Sequence, residues 1–75
     1  MKHRRLRNRL KVLRAEHAVT QIDLSRKVGI SRDRYWYIEN GYKAPTETER
    51  RRLAKALRVE ESALGFDQVM ERAAS

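Results

Sequence analysis

The chain has 75 residues, no cysteine and a formal net charge of +8. This length suits one small domain and leaves little room for a buried catalytic pocket with its supporting residues. The absence of cysteine excludes a disulfide framework, a thiolate metal site and a thiol nucleophile. The excess of positive charge favours a polyanionic partner, either nucleic acid or an anionic membrane surface.

The charge is unevenly distributed along the chain. Through Arg58 there are 17 Lys or Arg and 6 Asp or Glu, whereas from Val59 onward there are 1 and 4. The positive field therefore belongs to the part of the chain before Val59. The longest apolar run is only a few residues, far short of the roughly 20 residues that cross a bilayer, so we expect a cytoplasmic protein that does not enter a membrane.

The first predicted element is an amphipathic helix over about residues 4–16. Leu6, Leu10 and Leu13 recur every three or four residues with Val12 beside them, and Arg and Lys lie between. We expect the leucines to face the core and the cations to face outward. From the sequence alone, these cations fit a surface that follows DNA phosphates and a merely solvated face equally well.

A short second helix follows. Thr20 is its predicted N-cap, because the Thr side chain can accept a hydrogen bond from the backbone N–H of Asp23. Its predicted apolar face consists of Ile22, Leu24 and Val28.

A tight turn leads into a third helix. Gly29 can end the second helix in the left-handed conformation, and Ser31 is the N-cap of the helix that follows. Tyr35 and Ile38 are predicted to face inward, with the Tyr35 hydroxyl reaching the surface. This helix ends before Gly41.

The remaining chain predicts further helices. Thr46 and Glu49 form a capping-box signature for a fourth helix, whose apolar positions are Leu53, Ala54, Ala56 and Leu57. Residues 61–64 suggest one further short turn or helix, and the tail over 65–75 has helical spacing at Phe66, Val69, Met70 and Ala73. The sequence thus predicts a single compact all-α domain over residues 1–75 with five helices and one extra short helix at its C-terminal end.

Two short helices joined by a fixed turn are the parts of a helix-turn-helix, whose second helix enters the major groove of DNA. Residues 20–45 resemble the Cro/lambda-repressor (XRE-type) family, with its motif core at 20–41. The matching residues are Thr20, Gln21, Leu24, Gly29, Ile30, Ser31, Ile38, Glu39, Asn40, Gly41 and Pro45. The resemblance covers about residues 5–66 and implies a compact five-helix lambda-repressor-like DNA-binding domain.

The resemblance also implies a role for each matched position. The base-reading positions are Arg32, Asp33 and Tyr37. The positions that hold the DNA backbone are Thr20, Gln21, Ser31, Arg34, Tyr42 and Lys43. An internal ion pair between Arg14 and Glu39 is expected to tie the first helix to the third. Two of these roles have independent physical support, because Arg can bond guanine O6 and N7 together and a helix N-terminus attracts phosphate.

No catalytic constellation is predicted. His3 and His17 have no companions at metal-ligand spacing. Ser25, Ser31 and the carboxylates do not form a recognisable set of nucleophile, base and orienting group. We therefore expect a protein that is not an enzyme and that uses neither a metal nor a cofactor.

Two functional hypotheses follow from these observations. The first is a repressor-like transcription regulator, prokaryotic or phage-encoded and nucleoid-associated, that binds a palindromic operator in double-stranded DNA as a homodimer. Its predicted dimer surface consists of apolar residues left over once the core is filled, namely Leu64, Phe66, Val69 and Met70. The alternative is an antitoxin or small adaptor of the same fold, in which the tail or the aromatic residues Tyr35, Trp36 and Tyr37 bind a protein partner.

Overall fold

The computed structural model describes residues 7–66 of the chain. It contains four α-helices and one 3-10 turn, in the order α1 (Leu10–His17), α2 (Gln21–Val28), α3 (Arg32–Glu39), α4 (Glu47–Leu57) and the turn Glu61–Leu64. Residues 7–66 contain no β-strand, so this part of the chain is all-helical, as predicted. The predicted fifth helix is the 3-10 turn, so a count of five α-helices is not confirmed. The extra helix predicted around Val69, Met70 and Ala73 lies outside the described residues.

One apolar core lies between these elements, with α2 packed against both α3 and α4 and the 3-10 turn packed against α4. Its buried members are Leu10, Leu13, Leu24, Val28, Ile30, Tyr35, Ile38, Leu53, Ala54, Leu57, Leu64 and Phe66. None of the helices described here has the length and apolar character that a membrane-spanning segment needs.

The first helix begins later than the sequence indicates. Residues 7–9 are not helical, and Arg9 at the helix boundary has φ −111° and ψ 17°. The side chain of Asn8 accepts a hydrogen bond from the Leu10 backbone N–H at 2.9 Å, and the Arg9 N–H donates to the Leu64 carbonyl, also at 2.9 Å. The bond between Arg9 and Leu64 holds the backbone before Leu10 against the C-terminal turn, and the Asn8 side chain satisfies the first N–H of α1. Leu6, assigned to the helix core from sequence, lies outside the described residues.

The end of α1 is strained. Ala18 has φ 55° and ψ 42°, a left-handed conformation in which a Cβ is crowded. The N–H groups of Ala18 and Val19 donate to the carbonyls of Ala15 and Arg14, closing the helix end. A position that suits glycine is therefore filled by alanine.

Two inward or outward assignments from sequence are wrong. Ile22, assigned to the apolar face of α2, is 40% exposed. In α2 the buried positions are Leu24, Ser25 and Val28, and Ile22 lies outside this buried stripe. The Tyr35 hydroxyl does not reach the surface, because the residue is fully buried and the hydroxyl donates to Glu39.

The prediction that Leu64 and Phe66 form a dimer surface is also wrong. Leu64 is fully buried and Phe66 is only 3% exposed, both within the core of this chain. The cause is the 3-10 turn, which is joined to the start of α1 by the bond between Arg9 and Leu64 and lies so close to it that a Cβ on Gly65 would be 3.3 Å from Arg9 Cγ. The other two residues assigned to that surface, Val69 and Met70, lie outside the described residues.

The start of α4 follows the prediction closely. The Thr46 side chain accepts from the Glu49 backbone N–H at 3.1 Å, and the Glu49 carboxylate accepts from the Thr46 backbone N–H at 2.8 Å. Both bonds of the capping box are therefore present.

Candidate nucleic-acid interface

A three-residue connection sets the angle between α2 and α3. Gly29 ends α2 with φ 73°, and the Ile30 N–H donates to the Ser25 carbonyl at 2.9 Å. A Cβ on Gly29 would lie 3.3 Å from Arg52 Nη1, so the position is tight as well as left-handed. Arg52 in turn donates to the Val28 carbonyl at 3.4 Å, across to the end of α2.

Polar side chains cap both helices of the motif. The Thr20 hydroxyl oxygen accepts from the Asp23 N–H, and the Ser31 hydroxyl oxygen accepts from the Arg34 N–H, each at 3.1 Å. The family resemblance predicts a contact with the DNA backbone for both residues. The structure places each at an exposed helix N-terminus, where free N–H groups and the positive end of the helix dipole favour a phosphate.

The third helix has a buried face and an exposed face. Tyr35, Ile38 and Glu39 are buried and fix α3 to the rest of the domain. The exposed face comprises Arg32, Asp33, Trp36 and Tyr37. It therefore includes all three residues assigned to base reading, and it adds Trp36, to which the resemblance gives no role.

A buried carboxylate ties α1, α2 and α3 together. Arg14 forms a bidentate ion pair with Glu39, Nε to Oε1 at 2.8 Å and Nη2 to Oε2 at 3.0 Å. Tyr35 donates its hydroxyl to Oε1 at 2.6 Å, and Gln21 donates Nε2 to Oε2 at 2.9 Å. The Glu39 side chain is fully buried, and Arg14 also donates to the Val19 carbonyl at 3.0 Å. The ion pair expected between Arg14 and Glu39 is thus present, within a larger network.

The network decides the protonation state of its members. Burial alone would raise the pKa of Glu39, but the hydrogen bonds from Arg14, Tyr35 and Gln21 outweigh it and hold the pKa below its ordinary value. Burial first, and then the bond to Glu39, raises the pKa of Tyr35. Glu39 is therefore a carboxylate and Tyr35 a neutral donor at neutral pH.

Gln21 is held in place by this network. It stands first in α2, next to the cap residue Thr20, and its amide nitrogen is bonded to a carboxylate at the end of α3. One side chain therefore connects the beginning of α2 to the end of α3. A side chain held in this way loses less conformational entropy on binding than a free one.

A second ion pair joins the beginnings of α3 and α4. Arg34 donates Nε and Nη2 to the two oxygens of Glu49 at 2.7 and 2.8 Å. The hydrogen bond from Arg34 is the main reason that the pKa of Glu49 lies below its ordinary value. The resemblance predicts a contact between Arg34 and the DNA backbone, and in the structure two of the Arg34 nitrogens are bonded to Glu49. The capping box was predicted from sequence, but this second use of Glu49 was missed.

The end of α3 is fixed by a residue that sequence reasoning also missed. Asn8 donates its side-chain amide to the Ile38 and Glu39 carbonyls at 3.1 and 3.2 Å. It lies 30 residues before Ile38, and no local pattern marks it as a cap.

Beyond α3, the loop folds back onto the helix. The backbone N–H groups of Tyr42 and Lys43 both donate to the Tyr37 carbonyl, at 2.8 and 3.3 Å. The Lys43 ammonium lies 5.3 Å from the centre of the Tyr37 ring, within the range of a cation–π contact. This loop therefore places a cation next to the exposed face of α3.

Residues 7–66 contain no cluster of three or more acidic or histidine side chains that could hold a metal ion. These residues hold α3 in a fixed position, with hydrogen-bonding and aromatic groups on its exposed face. The capped N-termini of α2 and α3 and the side chain of Lys43 lie beside that face. These are the parts of a helix-turn-helix that binds DNA.

Comparison with known proteins defines the family. A family model described as a helix-turn-helix domain matches residues 5–73, and the chain belongs to this family, in the Cro/lambda-repressor-like group of DNA-binding transcription regulators. A solved structure, the restriction-modification controller protein C.AhdI from Aeromonas hydrophila, is similar with 28% sequence identity and a TM-score of 0.71. The match covers 75% of this chain and 85% of that one. No curated protein gives a significant sequence match. The family and this neighbour are regulators and not enzymes.

Proposed function

We propose that this regulator binds a specific double-stranded DNA sequence by inserting α3 into the major groove, and that it acts as a repressor-like homodimer on a palindromic operator. The observation that carries the proposal is the exposed outer face of α3. Arg32 and Asp33 are exposed there, while the buried network around Glu39 and the ion pair between Arg34 and Glu49 hold the helix itself in place.

In this proposal the side chains divide into two groups. Arg32, Asp33 and Tyr37 read base edges, since Arg can bond guanine bidentately and Asp can accept from a cytosine amine. Backbone contacts come from the helix starts and the loop, through Thr20, Gln21, Ser31, Arg34, Tyr42 and Lys43. Arg34 would use Nη1 for this contact, because Nε and Nη2 are bonded to Glu49.

The homodimer is proposed on grounds of discrimination. One recognition helix touches few base pairs, whereas two half-sites about 34–36 Å apart on one face of the duplex multiply the specificity. Because Leu64 and Phe66 are buried in the core, Val69 and Met70 are the members of the predicted surface that remain as candidates for the dimer contact.

The neighbour's role suggests a biological setting. C.AhdI is a controller protein of a restriction-modification system. We propose that this chain similarly regulates a promoter by occupying an operator, with its own concentration as the controlling variable.

The experiment selects binding sites from random duplex DNA with the full chain and then measures affinity for each single-base variant of the selected half-site. Arg32→Ala should relax the preference at one base pair of each half-site by about 1–3 kcal/mol. Arg58→Ala, which removes the same charge from the C-cap of α4, should leave every preference unchanged. If Arg32→Ala lowers the affinity for selected DNA and for random DNA by the same factor, the base-reading role of Arg32 is wrong.

Lys43→Ala gives the complementary result for a backbone contact. The variant should weaken binding to all DNA sequences alike, and it should reduce the slope of log affinity against log salt concentration by about one. An unchanged slope would remove Lys43 from the set of phosphate contacts.

A further inference from the structure

Three exposed aromatic residues form a cluster at the C-terminal half of α3 and the loop after it. Trp36 stacks on Tyr42 with ring centres 5.8 Å apart and planes 13° from parallel. Tyr37 meets both rings edge-on, at 5.4 Å from Trp36 and 6.3 Å from Tyr42. This aromatic cluster differs from the trio expected from sequence, because Tyr35 is buried and Tyr42 takes its place.

The cluster is exposed although its rings contact one another. Trp36 is 44% exposed, Tyr37 41% and Tyr42 48%. Large apolar groups that remain exposed and grouped on a small domain mark an interaction surface more often than a structural one. The stacking also restricts the rings before anything binds, which lowers the entropic cost of burying them against a partner.

The position of the cluster favours DNA as the partner. Trp36 and Tyr37 lie three and four residues after Asp33, so all three side chains share one side of α3. Trp36 also follows Arg32 by four residues, and the Lys43 ammonium lies over the Tyr37 ring. The apolar rings are thus bordered by cations, and they belong to the face of α3 that we propose enters the major groove.

The chemistry of the groove identifies what the rings would meet. Base edges in the major groove present hydrogen-bond donors and acceptors, with one apolar exception, the C5-methyl group of thymine. The face of a flat ring held in place by a second ring matches a methyl group, whereas the indole N–H at the ring edge is the only group of Trp36 that could donate to a base carbonyl. We propose that the aromatic cluster, through Trp36, reads the C5-methyl group of a thymine next to the base pairs read by Arg32 and Asp33.

This inference rests on the proposed function and is tested by removing the methyl group alone. In the half-site selected by the full chain, each thymine is replaced in turn by deoxyuridine, which changes nothing but the C5-methyl group. At one or two positions the wild-type protein should lose about fourfold in affinity, the cost of leaving one methyl group unburied. Trp36→Ala should bind the thymine and uracil sites equally at those same positions, and Trp36→Phe should restore part of the difference.

A matched control separates this effect from a general loss of apolar surface. Val12 is an exposed apolar residue on α1, and Val12→Ala should retain the wild-type response to uracil at every position. Far-ultraviolet circular dichroism of Trp36→Ala should match the wild type, because the residue is exposed and its removal leaves the core intact.

Three results would overturn the inference. The first is a selected half-site in which no thymine-to-uracil change depends on residue 36. The second is a Trp36→Ala variant that weakens selected and random DNA alike, which would indicate a sugar-phosphate contact. The third is a Trp36→Ala variant with wild-type DNA binding throughout, which would leave the cluster to a protein partner. In each of these cases the proposed function survives, whereas failure of the wild type to select any sequence would refute both.

Discussion

Substitution of Glu39 by Gln should be among the most damaging conservative changes in this domain. The carboxylate accepts four hydrogen bonds, two on each oxygen, from Arg14, Tyr35 and Gln21. Glutamine keeps the shape but offers one oxygen and one amide nitrogen. Arg14 donates to both oxygens, so either orientation of the amide sets its N–H groups against an N–H group of Arg14.

The expected cost follows from burial. Breaking a buried ion pair by removing one charge costs about 3–5 kcal/mol. We expect a cost at the lower end of that range, because the Arg14 side chain is 17% exposed and its charge keeps some contact with water. A loss of about 3 kcal/mol would lower the thermal midpoint of a domain of this size by roughly 12–24 °C. Urea unfolding followed by circular dichroism at the helix band measures the loss in the free energy of unfolding directly.

A matched control and a double variant make the result decisive. Glu16→Gln removes the same charge from an exposed position on α1 and should change stability by no more than about 0.5 kcal/mol. Arg14→Met combined with Glu39→Gln should cost less than the two single changes added together, because the opposed donors are then gone. Equal stability of Glu39→Gln and Glu16→Gln would refute the reasoning.

Three further outcomes are expected. Ala18→Gly should stabilise the domain by about 1 kcal/mol, because it relieves the left-handed strain at the end of α1. Ala15→Gly within the same helix should destabilise the domain by about as much. Thermal unfolding of both variants tests these expectations, and a loss of stability in both would contradict them. The folded-state pKa values of Glu39 and Glu49 are depressed, so the stability that these two carboxylates contribute is present above the ordinary Glu pKa and is lost as the pH falls through the folded values. The free energy of unfolding, measured from pH 7 down to pH 3, should therefore drop in acid, and it should drop less in Glu39→Gln. Parallel curves for the two proteins would contradict the depressed pKa of Glu39. Glu49→Gln should cost about 1 kcal/mol in urea unfolding, since Arg34 is one-third exposed and its ion pair is screened by solvent, and a cost near zero would mean that the pair does not fix α3 to α4.

Features that depend on neighbours in the sequence could be predicted. The N-caps Thr20, Ser31 and Thr46 and the left-handed Gly29 follow from local hydrogen bonding and backbone sterics. The angle between α2 and α3, and hence the helix-turn-helix, follows from these local signals and from the family resemblance. The Arg14–Glu39 pair came from the resemblance alone, because its partners are 25 residues apart.

Features that depend on packing could not be predicted. An eight-residue helix has little more than two turns, so several apolar faces fit α2 equally well, and only the contacts with α3 and α4 leave Ile22 exposed. The same applies to Leu64 and Phe66, since an apolar residue can be buried in its own core or against a partner, and the sequence alone does not distinguish the two. The second role of Glu49 required knowing that α3 and α4 begin side by side.

The most direct test of the central claim is the ratio of affinities for the selected operator and for random duplex DNA, measured with the full chain at physiological salt. A sequence-reading α3 predicts a ratio of at least about a thousand, and Arg32→Ala should reduce it while Arg58→Ala should not. A ratio close to one, unchanged by Arg32→Ala, would show that the positive charge of the domain binds DNA without reading it and would contradict the account.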